Sequence, residues 1–288
     1  MSNQSKYTKK FSFEFFPPRS AEAEQVLSAT QENLSRLKPD YFSVTFGAGG
    51  STRDKTLETA ITIKESTGVS VAPHLSCIGY SIDAIQNVLL TYKEHGLNQL
   101  VVLRGDSPSG GLGNGPLNHA NELVEYIRKL SGDYFYIDVA CYPEFHPQAI
   151  SVDKDLENFK RKVDAGANSA ITQYFFNPYA YFRFLDSCEK LNIDLPIVPG
   201  IMPITNRDQL VSFSNVCGAE IPLWILRRLE GYGDDLESIR QFGLEVVTEM
   251  CSELLSHGAP GLHFYSMNRH VAVEKIWENL GISGTRPT

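Results

Sequence analysis

Phe11-Ser12-Phe13-Glu14-Phe15-Phe16-Pro17-Pro18-Arg19 alternates aromatic and polar side chains and then meets two prolines. A period of two is the mark of a strand, with Phe11, Phe13 and Phe15 on one face and Ser12, Glu14 and Phe16 on the other. Proline donates nothing to a sheet ladder, so the strand stops at Pro17. If the aromatic face packs under helices, the opposite face looks into whatever the sheet encloses, and Glu14 stands at its end. Withdrawal from water favours the neutral form of a carboxyl, which makes Glu14 a candidate proton donor. A glutamate buried against an arginine is the competing reading.

Outward from this strand the same unit recurs. Residues 21–37 have helical spacing, Pro39 closes the helix, and 41–46 form a second apolar run. Further strands are predicted over 71–77, 99–106, 136–143, 169–176, 196–202 and 261–268. Between and after them, helices are predicted over 53–66, 82–95, 118–130, 152–165, 179–191, 206–216, 222–230, 236–256 and 271–280. Eight strands, each followed by a helix and with no linker between units, predict an α/β protein. The architecture is one (β/α)8 TIM barrel over 1–288, with extra helices before the last strand. A doubly wound open sheet is the alternative, but polar or small residues at alternate positions near the strand ends suit an enclosed site. The Gly- and Pro-rich segment 107–116 reads as a mobile loop at the rim.

The formal net charge of -8 and pI near 5.4 argue against a nucleic-acid surface or an anionic membrane and for a small-molecule partner. The five cysteines are far apart, with no CxxC pair, as expected of reduced thiols in a cytoplasm. The polar N-terminus lacks the apolar core of a signal peptide, and no apolar run is long enough to span a bilayer.

Barrel enzymes collect their chemistry at the C-terminal ends of the strands. Here those ends carry Glu14, Thr45, His74, Arg104, Asp106, Tyr142, Glu144, His146, Gln173, Tyr265 and Arg269. A metal site built from His74, Asp106, Glu144 and His146 is a rival reading, but no pair has compact ligand spacing and Arg104 beside Asp106 opposes a cation. A barrel that only binds a ligand is a second rival. On the helix after strand five, Asp155, Asn158 and Lys162 lie on one face, and Arg161 or Lys162 could neutralise a phosphate. A solvated charged face is the plainer explanation.

Nine blocks in order carry a resemblance: Phe13-Glu14-Phe15-Phe16-Pro17-Pro18-Arg19, Ser43-Val44-Thr45-Phe46-Gly47-Ala48, Ala72-Pro73-His74-Leu75, Leu103-Arg104-Gly105-Asp106, Tyr142-Pro143-Glu144, Lys160-Arg161-Lys162-Val163-Asp164-Ala165-Gly166-Ala167, Ile171-Thr172-Gln173, Pro199-Gly200-Ile201 and His263-Phe264-Tyr265. Across almost the whole chain the sequence resembles the methylenetetrahydrofolate reductase family in its bacterial form, the catalytic barrel only. The resemblance implies an FAD enzyme that reduces methylenetetrahydrofolate to methyltetrahydrofolate with NADH or NADPH, by ping-pong transfer of hydride. It implies FAD contacts at Thr45, His74, Arg104, Gly105, Asp106, Tyr142, His146, Asp155, Asn158, Arg161 and Lys162. Glu14 matches the proton donor, and Asp106 and Gln173 the groups that meet the pterin. Gln209 and Phe213 match the segment lining the substrate and nicotinamide space, and Arg269 a residue at the folate end. A homo-oligomer is implied, and no inhibition by S-adenosylmethionine through a regulatory domain is expected.

Overall fold

The computed structural model describes residues 4–46, 51–105 and 115–283, and the side chains of all of these except 51–54. Asp106 and most of the segment 107–116 lie outside the described residues. A 3₁₀ turn at Gln4–Lys6 leads into β1 (Lys10–Phe15), α1 (Ala21–Ser35), β2 (Tyr41–Val44), α2 (Ser51–Thr67), β3 (Ser70–Ser76), α3 (Ile82–Glu94) and β4 (Gln99–Leu103). The chain continues through α4 (Ala120–Ser131), β5 (Tyr136–Cys141), α5 (Val152–Asp164), β6 (Ser169–Thr172), α6 (Pro178–Lys190), β7 (Ile197–Val198) and β8 (Gly200–Ile201). It ends with α7 (Arg207–Cys217), α8 (Leu223–Tyr232), α9 (Leu236–Ser256), β9 (Gly261–Tyr265) and α10 (Val271–Asn279).

Every pairing is parallel, in the order β7-β6-β5-β4-β3-β2-β1-β9-β8. The two ends of this order, β7 and β8, are separated in sequence by Pro199 alone, so the sheet closes on itself as a TIM barrel. The predicted strand 196–202 is thus divided in two. Pro199 has no N–H for a ladder, though its carbonyl still accepts from the His263 amide at 2.9 Å. Closure also brings β9 hard against β1: at Gly261, with φ of +122°, a Cβ would stand 1.7 Å from the Lys10 carbonyl oxygen. The helices α8 and α9 are the expected extra pair before the last strand.

The alternation read in the first strand holds. Phe11, Phe13 and Phe15 are buried, and the Trp277 ring of α10 lies 5.4 Å from both Phe11 and Phe13. Ser12 and Glu14 face inward. Ser20, Ser81, Ser151, Asn177 and Asn206 each accept from a backbone amide in the first turn of the helix that follows, which starts α1, α3, α5, α6 and α7. The predicted strands overshoot at their C-terminal ends, because residues there leave the regular ladder while keeping single bonds to it. Thr45 N still donates to Phe15 O and Gln173 N to Cys141 O, each at 2.8 Å. These departures form the mouth of the barrel.

Candidate active site

Glu14 is held at the mouth by two imidazoles. Its Oε2 lies 3.2 Å from His74 Nε2 on β3 and 3.4 Å from His263 Nε2 on β9. Pleat and register bring them together: Glu14 pairs with Tyr265 across the β1–β9 ladder, and His263 precedes Tyr265 by one inward-facing position. Ser12, one inward position before Glu14, approaches His263 Nδ1 to 2.7 Å and so fixes the ring. His74 Nε2 is buried and, apart from this contact with Glu14, has no hydrogen-bond partner.

The expectation of a neutral Glu14 is corrected. Burial alone would push this carboxyl up, but the His74 charge and the contacts with both imidazoles overcome that and bring it down to about 2. Because the folded value lies below the ordinary one, the stabilisation is present above the ordinary carboxylate range and is lost as the pH falls towards about 2. The wild-type protein is therefore expected to lose more thermal stability than Glu14→Gln between about pH 5 and about pH 2. Parallel acid melts of the two proteins check this, and coincident curves would remove the imidazole pairing.

A second group gathers at the ends of β4 and β5. Arg104 donates from Nη2 to Gln148 Oε1 and from Nε to the Gly105 carbonyl at 3.3 Å. The Tyr142 and His146 rings meet edge to face at 4.5 Å. Asp155, in the first turn of α5, accepts from the His146 amide at 3.0 Å and so fixes the loop. Gly105, with φ of +88°, folds the backbone down onto β3: a Cβ there would come within 2.9 Å of Ser76 Cβ, so glycine keeps this shelf low. On α5, Asp155 and Lys162 turn towards the barrel while Asn158 and Arg161 are exposed. Lys162 Nζ donates to Ala140 O at 2.5 Å, and burial pushes its pKa down.

The other sequence-predicted residues spread around the mouth. The Thr45 carbonyl accepts from Thr56 at 3.0 Å, and Gln173 Oε1 accepts from the adjoining Tyr174 amide at 3.0 Å. Gln209 and Phe213 stand exposed one turn apart on α7, and Arg269 is exposed just beyond β9. Glu144 turns aside to accept from the Glu220 amide at 2.8 Å. Among the described residues no three His, Cys, Asp or Glu side chains gather as a metal site, and no helix is long and apolar enough to cross a membrane.

The family model described as Methylenetetrahydrofolate reductase matches residues 2–281. The chain belongs to the methylenetetrahydrofolate reductase family. The 5,10-methylenetetrahydrofolate reductase of Escherichia coli (strain K12) is 41% identical over 271 residues, covering 94% of this chain and 90% of that protein. That of Pectobacterium carotovorum subsp. carotovorum is 42% identical over the same shares. The Arabidopsis thaliana protein named Methylenetetrahydrofolate reductase (NADH) 1 is 37% identical over 285 residues, 94% of this chain and 48% of its own length. Among solved structures, an uncharacterized Clostridium thermocellum protein described as binding two copies of 5-methyl-5,6,7,8-tetrahydrofolic acid superposes with a TM-score of 0.68. It is 16% identical and covers 95% of this chain and 94% of its own, a likeness of fold.

In this family member the residue that sequence reasoning passed over is His263. Its position two residues before Tyr265 puts both on one face of β9, the signal in the sequence that points to it. Tyr265 itself donates to the Thr172 carbonyl at 2.8 Å, and burial pushes its phenol well up.

Proposed function

We propose that this chain reduces 5,10-methylenetetrahydrofolate to 5-methyltetrahydrofolate with a nicotinamide dinucleotide, NADH or NADPH, through bound FAD. The observation that carries the reading is the Glu14 carboxyl held between His74 and His263 at the barrel mouth of a methylenetetrahydrofolate reductase family member. When bound, FAD supplies the transfer of hydride from nicotinamide to folate in turn, which gives ping-pong kinetics.

The residues at the mouth fit such a cofactor. Apart from its contact with Glu14, His74 Nε2 is a buried polar atom without a hydrogen-bond partner, and Gly105 holds the backbone close over Ser76 of β3. Arg104, Arg161 and Lys162 supply a cationic donor set suited to a pyrophosphate, with Thr45, Tyr142, His146, Asp155 and Asn158 alongside. Asp106 joins this group by its place in the Leu103-Arg104-Gly105-Asp106 block.

The chemistry asks for a proton. A methylene bridge between two nitrogens accepts hydride poorly until one nitrogen is protonated and the ring opens to an iminium, and Glu14 is the group to deliver that proton. Between the two imidazoles it is a carboxylate, so it must first collect one. Ligands that cover the mouth exclude water from the Glu14–imidazole cluster, and desolvation favours two neutral partners over an ion pair. The proton then moves from an imidazole to Glu14 Oε2. Asp106, as a carboxylate, favours the cationic iminium, and Gln173 hydrogen-bonds the pterin. Gln209, Phe213 and Arg269 hold the remainder of the folate. The same reading makes the protein a cytoplasmic homo-oligomer serving one-carbon metabolism and methionine supply.

A visible spectrum of the purified protein tests the reading. The expected result is an oxidised flavin band, with FAD released on denaturation. A colourless protein carrying stoichiometric zinc would support a metal enzyme, and a colourless, metal-free protein that still binds folate would support a binding module.

A further inference from the structure

The strand that carries Glu14 loses its ladder just beyond it. Glu14, opposite Tyr265, is the last residue of β1 to pair with β9, and Pro17 and Pro18 follow almost at once. On the other side the chain stays tied to β2, because Thr45 N donates to Phe15 O. Even-numbered residues turn their backbone groups towards β9, as the bond from Lys10 N to Pro260 O shows, so the amide and carbonyl of Phe16 face a strand that has already ended at Tyr265.

Side chains of the turn between β9 and α10 stand in for that strand. Asn268 accepts from Phe16 N at 3.0 Å through Oδ1 and donates to Phe16 O at 2.9 Å from Nδ2. Ser266 Oγ donates to the Glu14 carbonyl at 2.5 Å. The turn is itself held in an uncommon shape. Met267 and Asn268 both have φ of +54°, and two successive left-handed residues that are not glycine persist where the surroundings over-determine them. Here Asn268 N donates to Ser266 Oγ at 3.2 Å, Arg269 N to Ser266 O at 2.9 Å, and Thr30 of α1 to Asn268 O at 2.9 Å. Ser266, Asn268 and Thr30 are all buried.

We propose that Asn268, with Ser266, is a positioning residue for Glu14. The pair replaces the missing ladder and fixes the backbone on both sides of Phe15, so that the Glu14 carboxyl stays between His74 and His263 when the mouth fills. The clamp rests on the reading of Glu14 as the proton donor to folate. It acts on the folate half of the cycle alone, since oxidation of the nicotinamide needs no proton from Glu14.

The test is a double-variant cycle, read by stopped flow on the purified flavin-containing protein. Asn268→Gly deletes the clamp while accepting the left-handed backbone, so the turn keeps its course. In this variant the folate half-reaction should slow by about 10–10²-fold, as expected for a displaced acid, with the NADH half-reaction and FAD content at wild-type values. Ser266→Ala, which deletes the bond to the Glu14 carbonyl, should follow the same pattern, and it carries the test should Asn268→Gly not fold. In a Glu14→Gln background the further loss from Asn268→Gly should be no more than about twofold, because a residue acting through Glu14 then has nothing to position. A wild-type folate half-reaction in the single variants, equal slowing of both halves, or losses that multiply in the double variant would overturn the clamp. Absence of folate reduction in the wild-type protein would instead overturn the reading of the mouth on which the clamp stands.

Discussion

Glu14→Gln is expected to separate the two hydride transfers. The amide keeps the length and shape of the side chain and still offers hydrogen bonds to His74 and His263, but it has no proton to give at neutral pH. Oxidation of nicotinamide requires no proton at the folate nitrogen, so the half-reaction with NADH alone should survive with a modest change. The folate half-reaction does require it and should slow by about 10²–10⁴-fold, equivalent to roughly 3–5.5 kcal/mol of barrier, the range for losing a general acid. Stopped-flow mixing with NADH, then of the reduced protein with methylenetetrahydrofolate, reads each half on one sample. Equal slowing of both halves would mean that Glu14 acts by holding the cofactor in place. Full folate activity would remove it from the chemistry.

That experiment depends on a feature only partly legible in the sequence. The inward direction of Glu14 follows from a period of two, a local property that any stretch of strand displays, and Ser12 and Glu14 do share the interior face. What the carboxyl meets there is not local. His74 lies two strands away and His263 is nearly the whole chain away, and they meet Glu14 only because β1 is flanked by both β2 and β9 once the barrel closes. The inference from burial to a neutral acid therefore failed: desolvation was visible in the aromatic pattern, but the imidazoles that overcome it were set by closure.

The same division runs through the fold. The repeating strand and helix periods predicted a barrel of eight units, and the closed parallel sheet agrees. Strand ends were overrun because residues such as Thr45 and Gln173 keep the alternation and one bond to the neighbouring strand after the ladder has stopped. On α5 the spacing of Asp155, Asn158 and Lys162 predicts one shared face. Positions 155 and 162 are seven apart and do turn inward together, while Asn158 falls on the exposed flank with Arg161. A difference of about a sixth of a turn decides whether a side chain sees the barrel or the solvent, and sequence spacing resolves it poorly.

Removing both cations at the end of α5 is the second large effect expected. If Arg161 and Lys162 neutralise the pyrophosphate of FAD, each lost charge-assisted contact costs roughly 1.5–3 kcal/mol, and the Ala/Ala double variant should hold FAD about 10²–10⁴-fold more weakly. The two residues differ in what else they do, which lets the cofactor contribution be isolated. Lys162 is turned inward, bonded to the Ala140 carbonyl, and its ammonium lies 5.7 Å from the Phe159 ring centre, so Lys162→Ala should also lower the melting temperature of the flavin-free protein. Arg161 is exposed and donates to Asn158 Oδ1 at 3.5 Å, so Arg161→Ala should leave that melt nearly unchanged while still weakening FAD retention. Raised salt should reproduce part of the Arg161→Ala defect. Both residues also sit in the last turn of α5, where cations favour the negative end of the helix dipole. Undiminished FAD affinity in the double variant at low ionic strength would assign them to that role alone and move the pyrophosphate to Arg104 and His146.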